Sequence, residues 1–187
     1  MRTPTLFVAT LFATTLTTTL ADRVSAQALG ASRTGPAIVG AGPVYDVPDP
    51  DFATPMGTYR AVWEVALGTE DPSQRNPRLE SVARFINMHA RAGVPGENMK
   101  LAVVVHGTAG KDLLDHQGYR DRLGVDNPNY DMIQELIGFG VRVVLCGQTH
   151  MARGIPRDRL APGVELALSA MTALVAFQEE GYRLIPF

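Results

Sequence analysis

The chain predicts an α/β domain, a three-layer sandwich with helices on both faces of a mostly parallel sheet of about five strands. Three observations carry this. Lys100–His106 and Val141–Cys146 are short, almost uniformly apolar, β-branched runs, as strands covered on both faces are. Segments with helical period lie between such runs, the pattern of right-handed βαβ crossovers. Beyond an N-terminal leader, about 160 residues remain, enough for one domain with a real core.

The leader comes first. Met1-Arg2 is a short basic start, Leu6 to Leu20 is apolar and rich in threonine, and Val24-Ser25-Ala26 offers the small residues that signal peptidase needs. Residues 1–26 are expected to be a secretory signal peptide cleaved near Ala26, which makes the mature chain periplasmic or extracellular. The apolar run falls short of the about 20 residues of a spanning helix, so no stable membrane insertion is expected. Cleavage removes Arg2, Arg23 and Asp22 and moves the formal charge from −2 to −3. That balance favours solubility, and no basic stripe speaks for nucleic acid.

Residues 27–57 are a different material. Gly30, Gly35, Pro36, Gly40, Gly42, Pro43, Pro48, Pro50 and Pro55 break any helical or strand period. They predict an irregular Pro/Gly-rich arm that lies on a surface or forms a loose leader, pinned at most by Ile38, Val39, Val44, Tyr45 and Phe52.

The α/β domain is expected over residues 58–187. Tyr59–Leu67 alternates and is rich in β-branched and aromatic residues, a first strand. Asn76 caps the next helix with Pro77 at its first position, Leu79, Val82, Ile86 and Ala90 face the core, and Gly93 closes it. Lys100–His106 is the second strand. Gly107–Asp126 is a long connection with short helical pieces. Asn127-Pro128 starts a helix with Ile133, Leu136 and Ile137 on its buried face. Val141–Cys146 is the third strand, Pro156 opens a short helical turn, and Val164–Leu168 is a brief fourth strand. Ser169 caps a helix over Ala170–Glu180, Gly181 ends it, and Tyr182–Ile185 is a last strand. Strand order does not follow from the sequence.

In an open parallel sheet, ligands bind beyond the carboxyl ends of the strands. Cys146, the only cysteine, ends the third strand there. An exported protein with one cysteine forms no internal disulfide, so this thiol is buried and inert, paired between molecules, or reactive. Gly147-Gln148-Thr149 supplies backbone N–H groups just past it, and Gln148 can donate to an anion held by the sulfur. His106 ends the second strand and becomes a neighbour of Cys146 if the two strands pair. As imidazolium it would favour the thiolate, and as imidazole it would act as a base. Both residues have plain structural readings as well: a small buried hydrophobe for Cys146, a loop-bonding histidine at Gly107-Thr108 for His106. Asn127 and Asn129 are helix-cap residues whose amides can also line the crevice. His150 lies within reach of the site, His89 is expected on a solvated helix face, and His116 in a surface loop. No metal and no cofactor is expected: the cysteine and histidine spacings make no metal motif, and no G-x-S-x-G, G-x-G-x-x-G or Walker pattern follows a strand.

Several features recur together: the apolar strand into His106-Gly107, Asn127-Pro128-Asn129, the strand into Cys146-Gly147-Gln148-Thr149, Leu160-Ala161-Pro162-Gly163-Val164-Glu165, Ser169-Ala170-Met171, and the ending Gln178 to Gly181-Tyr182. In order and spacing, Tyr59–Phe187 resembles the DsrE family of small α/β proteins associated with sulfur relay. The resemblance implies a parallel sheet, homo-oligomers (commonly trimers or hexamers) and, for some members, a cysteine that carries persulfide sulfur, here Cys146. Two functions are carried forward. One is a thiol-based sulfur carrier or sulfurtransferase, with Cys146 and His106 catalytic, Gly147, Gln148, Thr149, Asn127 and Asn129 binding, and a sulfur-donor or acceptor protein as partner. The other is a non-catalytic ligand-binding or oligomeric assembly protein with a structural cysteine.

Overall fold

The structure is a computed structural model that describes residues 31–186. The expected signal peptide falls outside the described residues. Five parallel strands stand in the order β4-β3-β2-β1-β5: β1 Tyr59–Val65, β2 Met99–Val105, β3 Arg142–Cys146, β4 Glu165–Ala167 and β5 Arg183–Ile185. The α-helices among the described residues are α1 Pro77–Arg91, α2 His116–Leu123, α3 Tyr130–Phe139, α4 Gly147–Ala152 and α5 Ala170–Glu179. The expected short turn after Pro156 is a 3₁₀ turn at Arg157–Arg159.

Alternation along the strands sorts side chains to two cores. Trp63, Val65, Leu101, Val103, Val105, Val143 and Leu145 pack on the side of α1 and α3. Val62, Ala102, Val104, Val144 and Cys146 pack on the other side under Ala170, Ala173 and Phe177 of α5. Sequential strands β1 to β4 step in one direction with their helices on the first face. α5 then crosses the opposite face and returns the chain to β5, beside β1. The reversal of direction forces the change of face, because parallel crossovers are right-handed.

Local chemistry sets the helix boundaries. Asn76 accepts from the Arg78 N–H at 3.0 Å and Pro77 opens α1. Ser169 accepts from the Thr172 N–H at 3.0 Å to start α5. α3 begins at Tyr130, two residues later than Asn127-Pro128 suggests, and Asn129 makes no side-chain cap bond. Its Oδ1 is already taken by the Asn76 N–H, at 2.7 Å.

Residues 32–57 form a strap across α1 and α3. The Asn87 amide and the Glu135 carboxylate accept from the Ile38, Val39 and Gly40 N–H groups, while the Arg91 guanidinium donates to the Arg33, Thr34 and Gly35 carbonyls. Ile38 and Val44 are buried under it as expected. Val39, Tyr45 and Phe52 are not pins: they are 70%, 63% and 84% exposed, because the strap is held through its backbone instead. Gly42 has φ +68° and crosses α1 so closely that a Cβ would stand 2.5 Å from the Ala83 carbonyl carbon. His89 departs from expectation too. It is half-buried and stacks on Phe85 with ring centroids 3.9 Å apart, because Tyr59 and Phe85 close over that helix face.

Candidate functional site

Cys146 ends β3 and pairs with Ala167 of β4. Here the chain leaves the sheet toward both faces. α4 turns to the α1 side, where Thr149 packs on Gly110 near Ile155 and Leu145. α5 goes to the other side. The thiol thus lies at the topological switch point of the sheet, where open α/β folds leave their binding crevice. Gly147 makes the tight exit possible, since a Cβ there would stand 2.5 Å from the Ala167 carbonyl oxygen and 2.9 Å from that of Leu168.

Cys146 is 5% exposed. Burial pushes its pKa up, but hydrogen bonding from the Thr149 N–H and hydroxyl, and from the Ala170 and Gln148 N–H groups, outweighs that and holds the thiol below the ordinary cysteine value. These donors come from the first turns of two helices on opposite faces of the sheet. Thr149 is positioned in turn by Gly107, whose N–H donates to its hydroxyl oxygen at 3.0 Å. Gln148 is exposed and its amide donates to the Leu168 carbonyl at 3.3 Å, tying α4 to the β4–α5 loop.

His106 follows β2 and donates its backbone N–H to the Val65 carbonyl, extending the ladder. Its ring turns to β1, with Nε2 2.8 Å from Glu64 Oε1. The groups that most lower the Cys146 pKa are the backbone amides of Thr149, Ala170 and Gln148 and the Thr149 hydroxyl. Glu64 escaped the sequence reading. Its signal was a lone carboxylate in an otherwise apolar stretch of strand, Trp63-Glu64-Val65.

Asn127 and Asn129 sit in a separate buried network. Asn127 donates to the Asp112 and Leu114 carbonyls at 2.8 and 2.6 Å and accepts from the Asn129 N–H at 2.9 Å. Asn76 links this network to the Asp112 carboxylate at 2.7 Å. Burial pushes the Asp112 pKa up despite its bonds from Asn76 and Lys111. Together these residues join the starts of α1 and α3 to the Gly107–Leu113 turn. His150 is held by the Ile155 carbonyl, and His116 packs on the Tyr130 ring. Among the described residues no group of three metal-ligating side chains forms, and no helix is long and apolar enough to cross a membrane.

Compared with known proteins, residues 66–187 match the model of the DsrE/DsrF-like family. The chain belongs to that family. Two solved structures resemble this DsrE-type chain. A Methanobacterium thermoautotrophicum protein of unknown function, MTH1491, is 25% identical with a TM-score of 0.52, over 69% of this chain and 99% of that one. The ychN protein from E. coli is 18% identical with a TM-score of 0.53, over 70% of this chain and all of that one, and speaks for the fold. No curated protein matches. The family model begins beyond the strap, so the described residues add a segment in front of the DsrE region.

Proposed function

We propose that this DsrE-family chain is a thiol sulfur carrier with Cys146 as its persulfide site. The observation that carries the reading is the free thiol at the switch point, ringed by donors that favour its thiolate. The thiolate would attack the outer sulfur of a donor persulfide, the donor's S–S bond would break, and the donor would leave as a thiol. An acceptor thiol would then take the sulfur by the same displacement. The leader residues support export, so the reaction would run in the periplasm or outside the cell.

We further infer that the chain works as a homo-oligomer joined across the α5 side. Leu168, Met171 and Val175 are 74%, 76% and 59% exposed there, beside the thiol. A second reading, an assembly protein with a structural cysteine, is favoured by the 5% exposure of Cys146.

Intact mass after treatment with a sulfane-sulfur donor separates the two. The carrier reading expects a gain of one sulfur atom, reversed by reductant and absent in Cys146→Ser. No gain, with a thiol that resists alkylation until the protein unfolds, would leave the assembly reading standing.

A further inference from the structure

Glu64, His106 and Cys146 share one face at the carboxyl ends of three neighbouring strands, with Glu64 opposite Val104. Val65, Val105 and Leu145 are in register across β1, β2 and β3. His106 and Cys146 are the next residues of their strands, and Glu64 is the residue before Val65. His106 keeps an extended backbone, φ −149° and ψ −170°, so alternation sends its side chain to the α5 side, with those of Glu64 and Cys146. Neighbouring strands stand about 4.8 Å apart, so His106 is the titratable residue next to Cys146 across the β2–β3 pair, with its ring tilted toward Glu64. The other charged residues of this face, Arg60, Lys100, Arg142, Glu165 and Glu180, lie toward the amino-terminal ends of the strands. There Arg142 pairs with Glu165 at 2.7 Å.

The Glu64–His106 contact is half-exposed, with side chains 45% and 26% accessible, and such pairs add little to stability. Its geometric effect is definite. A carboxylate 2.8 Å from Nε2 accepts the Nε2–H, which leaves Nδ1 without a proton in the neutral ring. We infer that Glu64 is a positioning residue that fixes His106 in this tautomer so that Nδ1 takes the Cys146 proton. The inference rests on the reading of Cys146 as a reactive thiol.

The step balances without a co-reactant. The S–H bond of Cys146 breaks with its electron pair staying on sulfur, and the proton moves to Nδ1. Glu64 stabilises the imidazolium formed. The thiolate attacks the outer sulfur of a persulfide R–S–SH, whose S–S bond breaks with its pair leaving on R–S⁻. The imidazolium returns the proton, and the products are Cys146–S–SH and R–SH.

The test uses the full mature chain as wild type, Glu64→Gln, His106→Gln and the double variant. Two rates are followed against pH: persulfidation of Cys146 by an alkyl persulfide, read by intact mass, and alkylation by iodoacetamide. His106→Gln should slow persulfidation at neutral pH by about 100-fold, the usual size of a lost acid–base group. Glu64→Gln should slow it by about 10-fold, as loss of a supporting partner does. The double variant should match His106→Gln alone, because Glu64 acts through the imidazole. Both single variants should move the alkylation profile to higher pH with unchanged melting temperatures. Persulfide forming on Glu64→Gln at the wild-type rate, with a superimposable alkylation profile, would overturn the inference and leave the carrier reading intact. A wild-type chain that takes up no persulfide would overturn the carrier reading, while the alkylation profiles still decide the role of Glu64.

Discussion

Asn87 and Ile38 bond each other twice, though they lie far apart in sequence. The Ile38 N–H donates to Asn87 Oδ1 at 2.9 Å, and Asn87 Nδ2 returns a bond to the Ile38 carbonyl at 2.9 Å. The same Nδ2 donates to the Ala41 and Gly42 carbonyls at 3.0 Å each. One fully buried amide thereby satisfies the backbone where the strap crosses α1. Asn87→Ala should cost about 2–4 kcal/mol, since it leaves several buried groups unpaired. Denaturant unfolding checks the loss. Hydrogen exchange should speed up at Ile38 well before it does in β2.

Gly147→Ala tests the exit from β3. The added Cβ meets two backbone carbonyls, which cannot swing aside as a side chain would. We expect a loss of about 1–3 kcal/mol, the usual scale for overpacking. As the β4–α5 loop is pushed away, the Ala170 N–H moves off the sulfur and the Cys146 pKa rises. A melting curve and an alkylation-rate profile on the same sample read both effects.

The titration of Cys146 has a defined sign. Its folded pKa is lowered, so its contribution to stability is present above the unfolded thiol value of about 8.5. That contribution fades as pH falls through the lowered folded value. The stability of wild type relative to Cys146→Ser should therefore grow as pH rises across this window. Thr149→Val removes the hydroxyl donor and should flatten that growth, besides leaving the Gly107 N–H unpaired at a cost of about 1–3 kcal/mol. Urea midpoints at a series of pH values measure both.

Asn129→Ala should destabilise by about 1–3 kcal/mol without moving the reactivity of Cys146, because its Oδ1 serves the buried Asn76 N–H. An unchanged alkylation rate in the folded variant is the expected result. A large drop would tie the asparagine network to the thiol and give Asn127 and Asn129 a place in the chemistry.

Met171→Glu places a charge in the exposed apolar patch of α5. If copies join there, the variant should run as a smaller species than wild type in light scattering, with its melting temperature measured at matched concentration. Equal masses would move the contact elsewhere.

Much of this was legible in the sequence because it is local. The apolar runs into Val105 and Cys146 read as strands on composition alone, and Asn76-Pro77 and Ser169 announce helix starts through short-range cap chemistry. What was illegible depends on distant partners. α3 starts at Tyr130, where the side chains of Asn127 and Asn129 are committed to partners in other segments, the Asp112 and Leu114 carbonyls and the Asn76 N–H. Glu64 gained meaning only once β1 was seen beside β2, and strand order is not written in any one segment. The strap hid for a related reason: its attachment runs through backbone groups, which every sequence has.

The pairing of β5 with β1 has a consequence in time. Ala61 sits opposite Arg183 and Trp63 opposite Ile185, so the first and last strands are neighbours. During synthesis, β1 emerges long before the segment that covers its free edge. Until residue 185 is available, that edge of β1 stays open to a wrong partner. The sheet therefore closes as a late, long-range event, and a chaperone that shields β1 in the meantime would raise the yield of native protein.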